Sequence, residues 1–473
     1  MGVGLSRPLD RDARCATLAP VWSPFVDAFI DTLHARGEAV HPPPPRRPPF
    51  FSTAPKTRDV SSDAPSTSGS TRGSTDAGMG TAKPIETAQQ PHNLRSPMKP
   101  GPVFRPAVKR LVAIGDVHGD LEATKEALRA GGLIDDNDKW CGGKTTAVQV
   151  GDQLDRGGDE IAILFLLERL RFEARKQGGE LIVMNGNHET LTAAGRFRYA
   201  DAKSKDELLR WRSNQLLGAA MKNMCGEKPG QCTLLGADDA AGMVERGRKG
   251  FPIVPPNRGS TNAPSMDSAS TVKTSTEKVP PGSSKYKIHS EHSSDSWMPR
   301  LAAFAPGGPL ATRFLAHQPV VVAVGSTVFA HGGVLSKHVK HGLQRVNKET
   351  AAWLAGKSSG PPPVHVTGAD SVVWARHYSQ PESWRNDCDA LSEALGAMPG
   401  MSRVVVGHTI QGEKGINAAC GGKAIRVDVG MSQGCGGGKP QVLEILDDGK
   451  GRVSRLTWDK ERGEVVREKV EGA

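Results

Sequence analysis

An α/β fold that gathers its polar chemistry at strand ends is what this sequence predicts, on two observations. Three times in succession a short apolar run (111–114, 146–150 and 181–184) leads into a glycine followed by Asp or Asn: Gly115-Asp116, Gly151-Asp152 and Gly186-Asn187. Each of these turns is followed by a helix-like pattern. Asp120 is placed to cap a helix running through Arg129 with Leu121, Ala123, Ala127 and Leu128 on its apolar face; an apolar helix is expected over 161–176 and another near 207–224. Strand-loop-helix units of this kind build an α/β core with loop residues presented at the strand ends.

The second half predicts an apolar helical segment over 301–316, then strands 320–324 and 327–330 joined by Gly325-Ser326 as a hairpin. A helix near 346–354, strands 404–406 and 424–427, and a terminal pair, 442–446 and 452–458, follow. This half reads as rich in antiparallel strands. Residues 1–106 are expected to be an N-terminal arm, largely disordered from about 41, where HPPPPRRPP is followed by STSGSTRGST. The remainder, 107–473, reads as one catalytic domain with a low-complexity insertion at about 257–296.

Composition supports a globular core diluted by such segments: hydrophobic residues are 37% and aromatics 5%, while Gly (55) and Pro (34) are abundant among 473 residues. The net charge of +10 is not gathered into a basic helix or an aromatic-interleaved stripe, so no nucleic-acid partner is expected. No apolar run approaches the roughly 20 residues of a membrane helix, so a soluble intracellular protein is expected. Seven scattered cysteines without a CxxC pair read as reduced thiols, Cys225 and Cys232 included, in a reducing compartment. The opening Met-Gly-Val-Gly-Leu-Ser matches a myristoylation pattern at Gly2 with Ser6, and Cys15 offers a second acylation point. A transit peptide is the other reading of this segment, so the compartment stays open between cytoplasm and plastid.

The strand ends project metal-type ligands: Asp116 and His118, then Asp152, then Asn187 and His188. Later strands add His331, in Phe-Ala-His-Gly-Gly, and His408, in Val-Gly-His-Thr. One such residue alone is an ordinary helix cap or surface imidazole. The ordered set GDVHGD, GDQLDRG, GNHE, HGG and GHT, each directly after an apolar strand, is not. Carboxylate, imidazole and amide donors without thiolate suit Mn, Fe or Zn, and their number implies two ions.

These residues resemble the calcineurin-like metallophosphoesterases and, among them, the phosphoprotein phosphatases marked by GDxHG, GDxxDRG and GNHE. The stretches 300–318, 329–333 and 342–354 are most similar to the Shewanella-like protein phosphatases. The resemblance implies two packed mixed β-sheets flanked by helices, with the metals at the strand ends. It implies Asp116 and His118 on a first metal, Asp152 bridging, and Asn187, His331 and His408 on a second. It further implies one-step attack on phosphorus by a hydroxide held between the two divalent or trivalent ions. His188 would be the general acid and Asp155 the carboxylate that orients it. Arg156 and Arg376 would clamp the phosphate, although His377 stands where the family usually has Gly. His338, His341, His289 and His292 match none of these motifs and read as surface residues.

The reading is therefore a metal-dependent phosphomonoesterase acting on phosphorylated protein or peptide, on Ser, Thr or Tyr, with its oligomeric state open. A dinucleotide polyphosphate hydrolase shares GDxHG and GNHE and is the first alternative. A catalytically silent phosphoprotein-binding module is the second, opposed by a ligand set with nothing missing.

Overall fold

A computed structural model describes residues 23, 25–35, 101–223, 297–358 and 360–473. The insertion at 257–296, most of the arm, His289, His292, Cys225, Cys232, Cys15 and Gly2 lie outside the described residues.

Among the described residues the first elements are helix α1 (25–35) and strand β1 (Phe104–Arg105). The three expected units follow as β2 (Arg110–Ile114), α2 (Leu121–Ala130), β3 (Thr146–Gln149), α3 (Glu160–Lys176), β4 (Glu180–Val183), α4 (Asn187–Ala193) and α5 (Lys203–Asn223). Asp120 is the N-cap of α2, accepting the Ala123 N–H at 3.0 Å. β2, β3 and β4 run parallel and in register, Leu111 opposite Thr146 and Thr146 opposite Glu180. Apart from Arg110 and Glu180 at their outer ends, these strands are buried throughout, which is why they read as continuous apolar runs instead of alternating ones.

After the insertion come α6 (Met298–Phe304), α7 (Pro309–Arg313), β5 (Val321–Val324), β6 (Thr327–Ala330), α8 (Ser336–His341), α9 (Leu343–Leu354), α10 (Cys388–Gly396) and β7 (Arg403–Val406). The chain closes with β8 (Asn417–Ala419), β9 (Ala424–Arg426), β10 (Gln441–Leu446), β11 (Val453–Asp459) and β12 (Glu464–Lys469).

Two six-stranded mixed sheets result, in the orders β12-β11-β10-β2-β3-β4 and β1-β5-β6-β7-β9-β8. The hairpin β5–β6 is antiparallel, as are β8–β9, β10–β11 and β11–β12, so the second half is rich in antiparallel pairs as expected, with β7 running parallel to both β6 and β9. The sheets pack face to face. Val322, Val324, Phe329, Val405 and Ile425 of one share a core with Val112, Ile114, Val148 and Leu443 of the other. The alternate residues Val321, Ala323, Val328, Ala330, Val404 and Val406 enter a second core with Leu343, Val346 and Leu391. That division follows the period of two along a strand.

The single helix expected over 301–316 is broken into α6, α7 and a 3-10 turn, Leu315–His317. Gly307 takes φ +81 and Pro309 opens α7, so the Pro306-Gly307-Gly308-Pro309 run ends one helix and starts the next. α1 docks on this region, with Asp31 accepting from Arg313 Nη1 at 3.0 Å and Nη2 at 2.7 Å.

Cys388, at the start of α10, is disulfide-bonded to Cys420, in the β8–β9 turn, 32 residues on. The thiol-based expectation of a reducing compartment therefore loses its support at these positions, while Cys141 and Cys435 are free. His338, read as a surface residue, is fully buried beneath the α8–α9 corner. No described helix is long and apolar enough to cross a membrane.

Candidate metal centre

All six predicted metal ligands stand together where the strand ends of the two sheets meet. Asp116 and His118 follow β2, Asp152 follows β3, and Asn187 opens α4. His331 follows β6 and His408 follows β7, so the second sheet supplies two ligands to a site begun by the first. The loops are tightly bent. Among the described residues nine non-glycine positions have positive φ, and five belong to this site: His118, Asp152, Asp155, Arg156 and His408. Backbone held in that region costs roughly 1–3 kcal/mol per residue and is kept where the surroundings enforce it. Glycines let the loops approach: a Cβ on Gly186 would stand 2.1 Å from Asp152 Oδ1, and one on Gly407 would stand 2.3 Å from Asp116 Oδ1.

Asp152 is the hub. Its Oδ2 lies 3.5 Å from His118 Nε2, 3.1 Å from His331 Nε2 and 3.8 Å from His188 Nε2, while Oδ1 accepts the His188 backbone N–H at 3.0 Å. Two ligand groups share it. His118, Asp152 and His188 form one, and Asp152, His331 and His408 the other, with ligand atoms within 4.8 Å in each. Asn187 Oδ1 joins the second group, 2.8 Å from His331 Nε2. Asp116 belongs to neither three-residue group but adjoins them: its Oδ1 is 3.9 Å from His331 Nδ1, and its Oδ2 accepts the His408 N–H at 3.0 Å.

The donor set fits cations. His118 Nδ1 faces the Leu154 carbonyl at 3.0 Å and His331 Nδ1 faces that of Val150 at 3.1 Å. Each backbone carbonyl can hold an Nδ1–H, leaving Nε2 unprotonated toward the centre, as in metal-ligating histidines. Asp116 Oδ1 and His408 Nε2 are buried and have no hydrogen-bond partner, a condition rarely left unsatisfied in an interior.

The side-chain charges point the same way. Burial alone would raise Asp152, but the imidazoles of His331 and His188 outweigh it and hold the carboxylate well below its usual range. Burial would lower His331, yet Asp152 and Asp116 draw it up to about 9. Burial and then Asp428 hold Asp116 well above the usual range. Burial, followed by His188, pushes His118 down to about 3; burial, His331 and Arg376 likewise depress His408. Protons alone thus leave neighbouring groups at odds. Cations in their place would release the proton from His331 and allow Asp116 to ionise.

His188 and Asp155 stand in contact, with His188 Nδ1 2.7 Å from Asp155 Oδ2. Against the effect of burial, Asp152 and Asp155 together raise the His188 pKa above its ordinary value. Arg156 is half-buried, its guanidinium 5.0 Å from the centre of the Tyr199 ring, which in turn lies 4.9 Å from the His188 ring. Arg376 is exposed, near enough to lower His408 and to interact with Tyr199 and Asp152.

Several supporting residues were not singled out from sequence. Glu189, in the GNHE motif, accepts the N–H groups of Gly186, Asp152, Gln153 and Leu154 at 2.6–3.0 Å, tying the second and third loops together. Burial and Asp152 push its carboxyl up to about 7 in spite of those donors. Asp428, just past β9, is buried beside Asp116, and burial raises it to about 6. Ser432 donates to the His118 carbonyl at 3.1 Å.

Arg300 of α6, fully buried, donates to Asp155 Oδ1 at 2.9 Å and to Glu160 Oε1 at 2.8 Å, with a further contact to Glu160 Oε2. Arg300→Met would leave two buried carboxylates without their cation. It should destabilise the fold by about 3–5 kcal/mol, read as a lower urea midpoint at an unchanged slope. A midpoint equal to wild type would dismiss Arg300 as an anchor of Asp155.

Residues 109–233 match the calcineurin-like phosphoesterase family. The chain is similar to Shewanella-like protein phosphatase 2 of Arabidopsis thaliana, 41% identical over 346 residues that span 73% of this chain and 77% of that protein. It is also similar to Shewanella-like protein phosphatase 1 of Plasmodium berghei (strain Anka), 43% identical over 20% of this chain and 26% of that one. Among solved structures, a cold-active protein-tyrosine phosphatase of a psychrophilic Shewanella species aligns with a TM-score of 0.48 at 19% identity, covering 78% of this chain and 83% of that one.

Proposed function

We propose, from the premise that this chain belongs to the Shewanella-like protein phosphatases among the calcineurin-like phosphoesterases, that it is a metal-dependent phosphomonoesterase that removes phosphate from Ser, Thr or Tyr side chains of proteins. The observation that carries the reading is the position of Asp152. It is shared by two ligand groups and adjoins a His188–Asp155 pair on one side. Asp116, His118, Asp152, Asn187, His331 and His408 would hold two ions of the Mn, Fe or Zn class. When bound, such ions activate water and neutralise charge on phosphoryl oxygens.

The chain's own residues do the rest. Arg156, half-buried, and Arg376, exposed, would each take two phosphoryl oxygens in a guanidinium fork. The Tyr199 ring stands beside both Arg156 and His188, where it would offer a substrate side chain a surface to lie on. His188, whose pKa Asp152 and Asp155 raise against the effect of burial, would give its Nε2 proton to the departing oxygen. Asp155 fixes the ring through Nδ1 and is itself held by Arg300.

Turnover of phosphothreonine and phosphotyrosine peptides by purified protein, with metal content measured in the same sample, tests this. Hydrolysis of at least one peptide class well above that of diadenosine tetraphosphate is the expected result. The reverse order would replace the reading with that of a dinucleotide polyphosphate hydrolase.

A further inference from the structure

Among the described residues, one other group of ligand-type side chains converges away from the strand-end centre. His341 is the last residue of α8, Glu349 lies on α9, and His365 sits in the 3-10 turn Val364–Val366. Their ligand atoms lie within 4.8 Å of one another. The His341 and His365 rings are 4.0 Å apart at their centres, and His341 Nε2 is 3.0 Å from Glu349 Oε2. We propose that His341, Glu349 and His365 form a separate metal site that takes one borderline divalent cation of the zinc class.

A histidine–glutamate ion pair explains the His341–Glu349 contact. It does not explain His365, which brings a second imidazole against the first. Two imidazoles this close repel if both are protonated, and burial followed by the charge of His341 holds His365 below its ordinary range. A shared cation would hold the two rings together where protons would drive them apart. Glu349 is oriented by Arg345, whose Nε donates to its other oxygen, Oε1, at 2.7 Å, the kind of outer hydrogen bond that aims a ligating carboxylate. Behind the group stands buried His338, edge-on to His365 with ring centres 5.7 Å apart. Its Nδ1 accepts the Leu335 N–H at 3.0 Å, so its own ring is fixed and backs His365 toward His341.

Two imidazoles and a carboxylate without thiolate match the donor preference of zinc-class ions, and the half-exposed setting leaves a fourth position for water. The site has a place in the fold that gives an ion something to do. The chain leaves the second sheet at His331, makes α8 and α9, and passes His365. It then returns with Val372, which donates to the His365 carbonyl at 3.0 Å and accepts from Gly332 at 2.8 Å, just before Arg376. An ion held by α8, α9 and the 365 turn would clip this excursion between a site ligand and a phosphate clamp, and so stabilise the folded state by mass action.

The test uses the full-length chain and Zn²⁺. Wild type, His365→Ala and the isosteric Glu349→Gln are dialysed against Zn²⁺, and metal per chain, melting temperature and aryl phosphate turnover are measured in each. Wild type is expected to hold one more zinc per chain than either variant. Its melting temperature should rise with zinc by more than theirs, while aryl phosphate turnover stays equal in all three. Loss of an outer partner alone weakens a site roughly 10–100-fold, so removing a ligand should weaken it by more. Equal zinc content in the three proteins would overturn the site, as would a zinc-dependent melting shift unaltered in both variants. The comparison is a difference between variants, so it is independent of how many ions the strand-end centre holds and of what that centre hydrolyses.

Discussion

Asp152→Asn is expected to purify with less than its full metal complement and to lose turnover by well over 100-fold. Replacing one oxygen by an amide changes little in volume, but it removes the only charge shared by both ligand groups. Cations about 3.5–4 Å apart, the usual spacing in such centres, repel strongly unless an anion lies between them. Losing an outer hydrogen-bond partner already costs roughly 10–100-fold in metal affinity or activity, and Asp152 stands closer than that. The damage should also exceed that from a ligand confined to one group, so His408→Asn serves as the control. Elemental analysis of both variants decides the matter. If Asp152→Asn kept two ions per chain and near-normal turnover, Asp152 would not be a bridge.

His188→Asn should keep its metals and lose rate according to the leaving group. Proton donation by a positioned acid is worth roughly 10²–10⁴-fold when the departing oxygen is basic, as in phosphoserine, and little when it leaves as a stabilised anion, as in an activated aryl phosphate. The structure supplies both parts of the arrangement. Asp155 holds Nδ1 at 2.7 Å, and against the effect of burial Asp152 and Asp155 raise the His188 pKa above its ordinary value. Rates on the two substrates, measured for wild type and variant with metal content checked, separate proton transfer from damage to the centre. Equal losses on both substrates with metals intact would make His188 a positioning residue. A fall in metal content would place it among the ligands, a role its distance to Asp152 also permits.

The polar donors at the strand ends were readable because each is local. An apolar strand, a glycine and a donor lie within a few residues, and the spacing of GDVHGD, GDQLDRG and GNHE records how a parallel strand must stop and turn. The same locality made the hairpin at Gly325-Ser326 and the cap at Asp120 legible. The β5–β6 register and the Asp120–Ala123 hydrogen bond follow that reading. Arg300 was visible only as part of a resemblance. Its task, to neutralise Asp155 and Glu160, depends on three segments meeting in a water-free interior.

Burial of His338 depends likewise on the packing of α8 and α9 over the sheet, since nothing in its own neighbourhood of sequence distinguishes it from an exposed histidine. The Cys388–Cys420 bond joins a helix start to a turn in the second sheet, and cysteine spacing carries no record of which ends will meet. The grouping of Asp152 with His331 and His408 arises where the two sheets face each other. By itself the sequence determined which side chains stand at each strand end, because backbone geometry over a few residues dictates that. Only the tertiary structure decided which of them share a charge, a proton or a bond, because desolvation and Coulombic coupling depend on distance through space and not along the chain.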